Sequence, residues 1–264
     1  MKPGQSIQYG LRFLRHALAV KYPKSISDPW ARRISEALCY PTVPENAMRR
    51  IESLRDELLS SNEQLTVTDF GAGSRVFREP IRPVARMAHV VLKAKHEARS
   101  LYGLVDAVQP KVMLELGTSF GITSLYLAAA AQSGTLMTLE GDPATAAIAK
   151  RVFHSSKTKN IKLFEGTFED SLPIVLPAIP RLDVVFFDGN HQKEPTLRYF
   201  ELCLTKIHDH TVFVFDDINW SQEMAEAWIQ IKAHPAVKAT VDAFVFGIVL
   251  FSPTRRKRHF TIRL

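Results

Sequence analysis

Cysteine is scarce in this chain. Cys39 and Cys203 are the two in 264 residues, and they stand far apart. That leaves no disulfide framework and no zinc cluster, and it suits a reduced, cytosolic protein. No apolar run approaches the roughly 20 residues a membrane helix needs. The opening residues, MKPGQSIQYGLRFLRH, lack a long apolar core and a small-residue cleavage site, so no secretory signal is expected. There is no internal repeat and no low-complexity segment. The net charge of +7 permits an anionic substrate. Apart from RRKR at 255–258, however, the basic residues are scattered, with no stripe that alternates with aromatics. That argues for a solvated basic surface and against a nucleic-acid groove.

What the chain has is enough apolar residue, 46%, for one large α/β domain or a smaller one with an appendage. Residues 1–62 read as helices: SIQYGLRFLRHALAV, a segment begun by the capping pair Asp28–Pro29, and PENAMRRIESLRDELLS. A short strand, LTVTDF, and helical patterns over about 81–92 and 94–107 follow. From residue 111 strands alternate with amphipathic helices. The strands are KVMLEL (111–116), GTLMTLE (134–140), IKLFE (161–165), LDVVFFD (182–188), HTVFVFDD (210–217) and VKATVDAFVF (237–246), then GIVLF (247–251) and HFTIRL (259–264). Helices fit at about 121–132, 143–154, 168–177, 194–206 and 220–233. Runs such as VVFF and VFVF suit strands covered on both faces, and the alternation predicts a doubly wound, mostly parallel sheet. The last strands, with no helix between them, predict an antiparallel closing hairpin. The expected division is a mainly helical extension over 1–110 and a nucleotide-binding domain over 111–264.

Two segments run from an apolar stretch through an acid into glycines: TVTDFGAGSRVF (67–78) and KVMLELGTSFGITSLYLAAA (111–130). Only the second is followed at once by a helix and by a strand that ends in an acid, Glu140, so Gly117 is expected to be the ligand turn. It is not the G-x-G-x-x-G fingerprint of a diphosphate site. Glu115, two residues before the turn, would repel a diphosphate and suit a cationic ligand such as an ammonium or a sulfonium. Glu140 is placed to accept hydrogen bonds from ribose hydroxyls.

The series ELGTSFG, TLEGDP, FEGTFED, LDVVFFDGNH and FVFDDI resembles the successive motifs of class I S-adenosylmethionine-dependent methyltransferases, nearest the catechol and caffeoyl-CoA O-methyltransferase branch, over about 111–251. The resemblance implies a seven-stranded Rossmann-like sheet. It places Glu115, Gly117 and Ser119 around the methionine part of the cofactor, Glu140 on the ribose and Gly166, Thr167 and Phe168 by the adenine. Thr118, Gly121, Gly141 and Asp188 complete the implied set. In metal-dependent members an Asp and an Asp–Asn pair hold magnesium or calcium. Here the positions read Asp188 and Asp216–Asp217, an Asp standing where the family has Asn. Three such carboxylates suit a hard divalent cation. Alternatively Asp188 only touches cofactor or substrate, and Asp216 or Asp217 caps the helix near Trp220.

His191 follows Asp188 where the family carries a lysine base, and an imidazole with a pKa of about 6.5 is suited to take a hydroxyl proton. The alternative is a loop hydrogen bond. The expected activity is methylation of a small-molecule hydroxyl, with Asp188 and His191 at the reacting end. The rivals are a metal-independent methyltransferase on another acceptor, an S-adenosylmethionine-binding module without catalysis, and a nicotinamide dehydrogenase, which the missing glycine and Glu115 disfavour. DGNH stands where a base N-methylase carries an N/D-P-P-Y/F motif, and no Ser–His–Asp set is evident. DFGAGSR, with Ser74, Arg75 and Arg78, is expected to be either an acceptor-side lid or a structural turn. RRKR is expected at a solvated hairpin tip, and Trp220 and Trp228 in packing. Apolar edges are compatible with a homodimer.

Overall fold

The computed structural model describes residues 3–68, 79–253 and 256–264. The DFGAGSR segment, Arg78 and Arg255 therefore lie outside the described residues. The N-terminal third carries helices α1 (Pro3–Ala19), α2 (Pro29–Cys39) and α3 (Glu45–Leu59), a ladder of β1 (Gln64–Thr66) with β2 (Ile81–Pro83), and helices α4 (Val84–Val91) and α5 (Lys95–Val108). Asp28 caps α2 as its pairing with Pro29 predicts, accepting from the Ala31 amide at 2.9 Å. Strand β2 lies where the sequence pattern predicts the start of a helix. Pro83 disfavours the helical conformation at Arg82, so 81–83 is extended and pairs antiparallel with β1.

The strand–helix alternation follows: β3 (Val112–Leu116), α6 (Ile122–Ala130), β4 (Thr135–Glu140), α7 (Pro143–Ser156), β5 (Ile161–Glu165), α8 (Phe168–Val175), β6 (Val184–Phe187), α9 (Lys193–Leu204), β7 (Val212–Phe215), α10 (Gln222–Ala233), β8 (Ala239–Asp242), β9 (Gly247–Leu250) and β10 (Arg258–Thr261). The sheet runs β10-β8-β9-β7-β6-β3-β4-β5. Five central strands are parallel, and β9 lies antiparallel between β7 and β8. This is the expected mostly parallel, doubly wound sheet with a closing hairpin. It has eight strands rather than seven, because the C-terminal HFTIRL adds β10 in parallel to the free edge of β8. The predicted strand 237–246 is also shorter. It breaks at Asp242, whose side chain accepts from the Phe244 amide at 3.0 Å and turns the chain back into β9.

The crossovers leave β3 in one direction toward β4 and β5, and leave β6 in the other toward β7. The carboxyl ends of β3 and β6 thus border the crevice where the winding reverses, the usual ligand site of open α/β sheets. The VVFF and VFVF strands are buried at every position. One face of the sheet is covered by α8, α9 and α10. On the other, buried residues of α2 to α6, such as Ile34, Leu54 and Leu101, join Met113 and Phe186 in one apolar cluster. Lys257 of the RRKR segment is not at a free tip. Its Nζ donates to the carbonyls of Lys232, Ala233 and His234 at 2.7–3.1 Å and closes the end of α10. Among the described residues no helix is long and apolar enough to cross a membrane.

Helices α2 and α5 touch at Gly103. A Cβ there would overlap the Ala37 carbonyl and lie 2.8 Å from the Pro41 Cβ. Gly103→Ala is expected to lower unfolding stability by about 1–3 kcal/mol, the usual cost of overpacking, in urea denaturation.

Candidate active site

The turn after β3 is built on close backbone contact. Gly117 has φ 108°, and a Cβ on it would overlap the carbonyl oxygen of Asp188. A residue with a side chain is excluded on both counts. The amides of Gly117 and Thr118 donate to the Leu139 carbonyl at 3.0 and 3.1 Å, which folds the turn onto the end of β4. The Thr118 and Thr138 hydroxyls are 2.6 Å apart. Ser119, at φ 50°, gives its amide to Glu140 Oε2 at 2.8 Å, and Gly121 begins α6. The other Glu140 oxygen accepts from the Asp142 amide across Gly141 at 3.0 Å. Burial raises the Glu140 pKa against these hydrogen bonds.

At the end of β5 the Gly166 amide donates to the Glu140 carbonyl at 2.9 Å, and Thr167 caps α8. The Phe168 ring lies over Gly189 and edge-on to Tyr199. The ends of β3, β4, β5 and β6 thus bring together Gly117, Thr118, Ser119, Gly121, Glu140, Gly141, Gly166, Thr167, Phe168 and Asp188.

Glu115 is fully buried on the α6 side of the sheet. One oxygen accepts from the hydroxyls of Ser124 and Thr138. The other, Oε1, has no partner among the described residues. Burial pushes its pKa from the ordinary carboxylate range up to about 7. The buried Oε1 beside the turn is thus left open to a donor that the described residues do not supply, such as a ligand's cationic nitrogen.

At the ends of β6 and β7 Asp188 and Asp216 converge, with Lys93 between them. Lys93 Nζ lies 2.6 Å from Asp216 Oδ2, 3.1 Å from Asp188 Oδ1 and 5.9 Å from the centre of the Phe186 ring. Burial alone would lower the Lys93 pKa, but the two carboxylates outweigh it and keep the ammonium charged. Burial pushes Asp188 upward; for Asp216 the same burial is overridden by Lys93, which holds it down. His191 Nε2 is 3.8 Å from Asp188 Oδ1, and burial lowers its pKa, which favours the neutral ring. Asp188, His191 and Asp216 each offer a ligand atom within 4.8 Å of the others, and Asp217 is not in that group. Neither Asp216 nor Asp217 supplies the cap of α10, which is Ser221, its hydroxyl accepting from the Met224 amide at 3.0 Å. Trp228 is buried and donates to Asp242, whereas the Trp220 ring lies 6.1 Å from that of His191.

Residues 114–218 match the model of a methyltransferase domain. A catechol O-methyltransferase of Niastella koreensis is 32% identical over 166 residues, covering 58% of this chain and 74% of that protein. The chain belongs to the class I S-adenosylmethionine-dependent methyltransferases of the catechol/caffeoyl-CoA type. A human transmembrane O-methyltransferase is 31% identical over 127 residues, 43% of each chain. Two crystal structures share the fold at lower identity. An SAH-bound methyltransferase of Podospora anserina has TM-score 0.60 at 14% identity, covering 86% of this chain and 97% of its own. The O-methyltransferase TomG of Streptomyces achromogenes, in complex with SAM, has TM-score 0.55 at 18%, covering 96% and 100%.

Sequence patterns for a class I methyltransferase do not reveal Lys93. It is the joint between two helical patterns, and a lone lysine in a short break carries no signal of its own. With it in place, one oxygen of each carboxylate faces an ammonium, and Asp216 Oδ1 is buried with no partner among the described residues. A divalent ion binds carboxylate oxygens at about 2.0–2.6 Å, so it would compete with that ammonium for Asp188 Oδ1 and Asp216 Oδ2.

Glu115 ties stability to pH. The unfolded chain gives up this proton near 4.5, whereas the fold keeps it until about 7, so Glu115 makes stability fall as pH rises through that window. Glu115→Gln is expected to remove this part of the slope. It should become more stable than the parent above pH 7, by about 3 kcal/mol at most, in chemical denaturation from pH 5 to 8.

Proposed function

We propose that the chain is an S-adenosylmethionine-dependent methyltransferase acting on a hydroxyl group of a small molecule. The observation that carries this is the gathering of Glu115, Gly117 and Glu140 at the carboxyl ends of neighbouring strands, around a turn too tight for any side chain. When bound, the cofactor supplies a methyl group already activated on a sulfonium, so the protein has mainly to align, desolvate and manage one proton.

In this proposal Gly117, Thr118, Ser119 and Gly121 line the methionine end, with the unpartnered Glu115 oxygen as a hydrogen-bond acceptor beneath it. Glu140 takes the ribose through lone pairs that its two backbone hydrogen bonds leave open. Gly141, Gly166, Thr167 and Phe168 border the adenine. Asp188 stands between cofactor and acceptor. His191, kept neutral by burial, takes the hydroxyl proton as the acceptor oxygen attacks. It carries φ 49° in a loop where its neighbour Asn190 has φ 68°. Consecutive left-handed residues without glycine are costly and concentrate at working sites. Residues 1–110 serve as the cover that excludes water and shapes the acceptor side.

Thermal shift separates this proposal from a nicotinamide enzyme. S-adenosylmethionine and S-adenosylhomocysteine are expected to raise Tm, and NAD to leave it unchanged. Glu140→Gln should weaken cofactor binding by about tenfold, the loss of one charge-assisted hydrogen bond, while the melting transition stays cooperative. His191→Ala should keep cofactor affinity and lose about 10²-fold in kcat, measured as S-adenosylhomocysteine released with a panel of phenolic and alcoholic acceptors. Full turnover by His191→Ala across pH 6–9 would remove the base role. Cofactor binding without turnover on any acceptor would point to a binding module.

A further inference from the structure

We propose that Lys93 is the resident cation of this site, and that the chain works without a divalent metal because its own ammonium stands between the carboxylates that would hold one. The two Nζ contacts, to Asp216 Oδ2 at 2.6 Å and Asp188 Oδ1 at 3.1 Å, take one oxygen of each carboxylate and put a positive charge between them, where a bridging magnesium or calcium ion would stand, while Asp216 Oδ1 has no partner among the described residues. Ion and ammonium are therefore alternatives. A metal could enter only by pushing a cation out, into a site that already faces the Phe186 ring.

Lys93 is built in rather than draped over the surface. Its side chain is 11% exposed, and that of Asp216 is 2% exposed. Its carbonyl accepts from Arg55 Nη1 at 2.7 Å, and the next amide, of Ala94, is held by Glu97 at 3.2 Å. Arg55 is itself buried and pairs with Glu52 at 3.1 Å, and Glu52 accepts from the Tyr126 hydroxyl at 2.6 Å. Helices α3 and α6 thus clamp the joint that carries the lysine. A flexible surface lysine would have none of these supports.

An ammonium offers three N–H bonds. Two are on the carboxylates, and the third is left for the acceptor oxygen, which it would hold as a point charge. This last role rests on the proposed methyl transfer. The exclusion of a metal does not.

The test is calorimetry of the full chain with magnesium, calcium or manganese chloride alone. The parent is expected to give no saturable heat. Lys93→Ala, which leaves two carboxylates facing each other, is expected to bind one manganese ion and to gain several degrees of Tm from it. Lys93→Arg, which keeps a cation there, should behave as the parent. One-site binding by the parent that Asp216→Asn abolishes would overturn the proposal. So would a Lys93→Ala protein with a native circular dichroism spectrum that takes up no ion. Should Lys93→Ala fail to fold, the parent titration and its Asp216→Asn control decide alone. These titrations need no acceptor, so they stand even if no methyl transfer is found. Where transfer is found, it should be the same with and without chelator, and its loss in chelator would count against Lys93.

Discussion

At the end of β3 two backbones pass so closely that no side chain fits between them. Gly117 meets the carbonyl of Asp188 across the one place in the sheet where the winding changes direction. The pairing of Leu116 with Phe187 brings the loops after β3 and β6 out at the same level. The pairing of Leu116 with Leu139 does the same for the end of β4, where Glu140 stands. Loosen that contact and the acids, the glycines and His191 no longer share a crevice. The loops carry strain to achieve it. Ser119, Asn190, His191 and Asp217 all have positive φ, a conformation that costs a non-glycine residue about 1–2 kcal/mol. The Ser119 amide recovers part of this through its hydrogen bond to Glu140.

The second constraint is electrostatic. Parallel strands deliver their terminal side chains to one edge, and here that edge receives Glu140, Asp188 and Asp216, with Glu115 buried one residue earlier. Burying like charges together is costly unless each finds a partner. Three separate solutions are visible. Glu115 accepts two hydroxyls and has its pKa lifted toward neutrality. Glu140 takes backbone amides. Asp188 and Asp216 share an ammonium. In this last case charge is balanced by a residue outside the alternating strand–helix part of the chain, so the helical third of the molecule is electrostatically part of the site.

Much of the fold was legible because its signals are local. VVFF and VFVF suit strands covered on both faces, and Asp28–Pro29 pairs a capping side chain with a residue that needs no amide partner. What was missed was missed for physical reasons. Strand β2 depends on Pro83 acting on Arg82 and on a partner strand. The HFTIRL strand was expected, but its parallel pairing depends on β8 having a free edge, which no local pattern can register. Lys257 is exposed, as expected of a basic run, but its hydrogen bonds to the carbonyls at the end of α10 could not be read from that run.

The same division runs through the site. Sequence alone determined that acids stand at the ends of successive strands and that Gly117 opens a turn, because strand periodicity and turn chemistry are written in consecutive residues. Only the tertiary structure decided that Glu115 points into the core toward Ser124, that Asp217 is outside the cluster of ligand atoms, and that Lys93 lies between Asp188 and Asp216. Those facts join residues from different elements, and their side chains meet only once α3, α5 and α6 have packed against the sheet. A charge learns its partner from that packing, not from its neighbours in the chain.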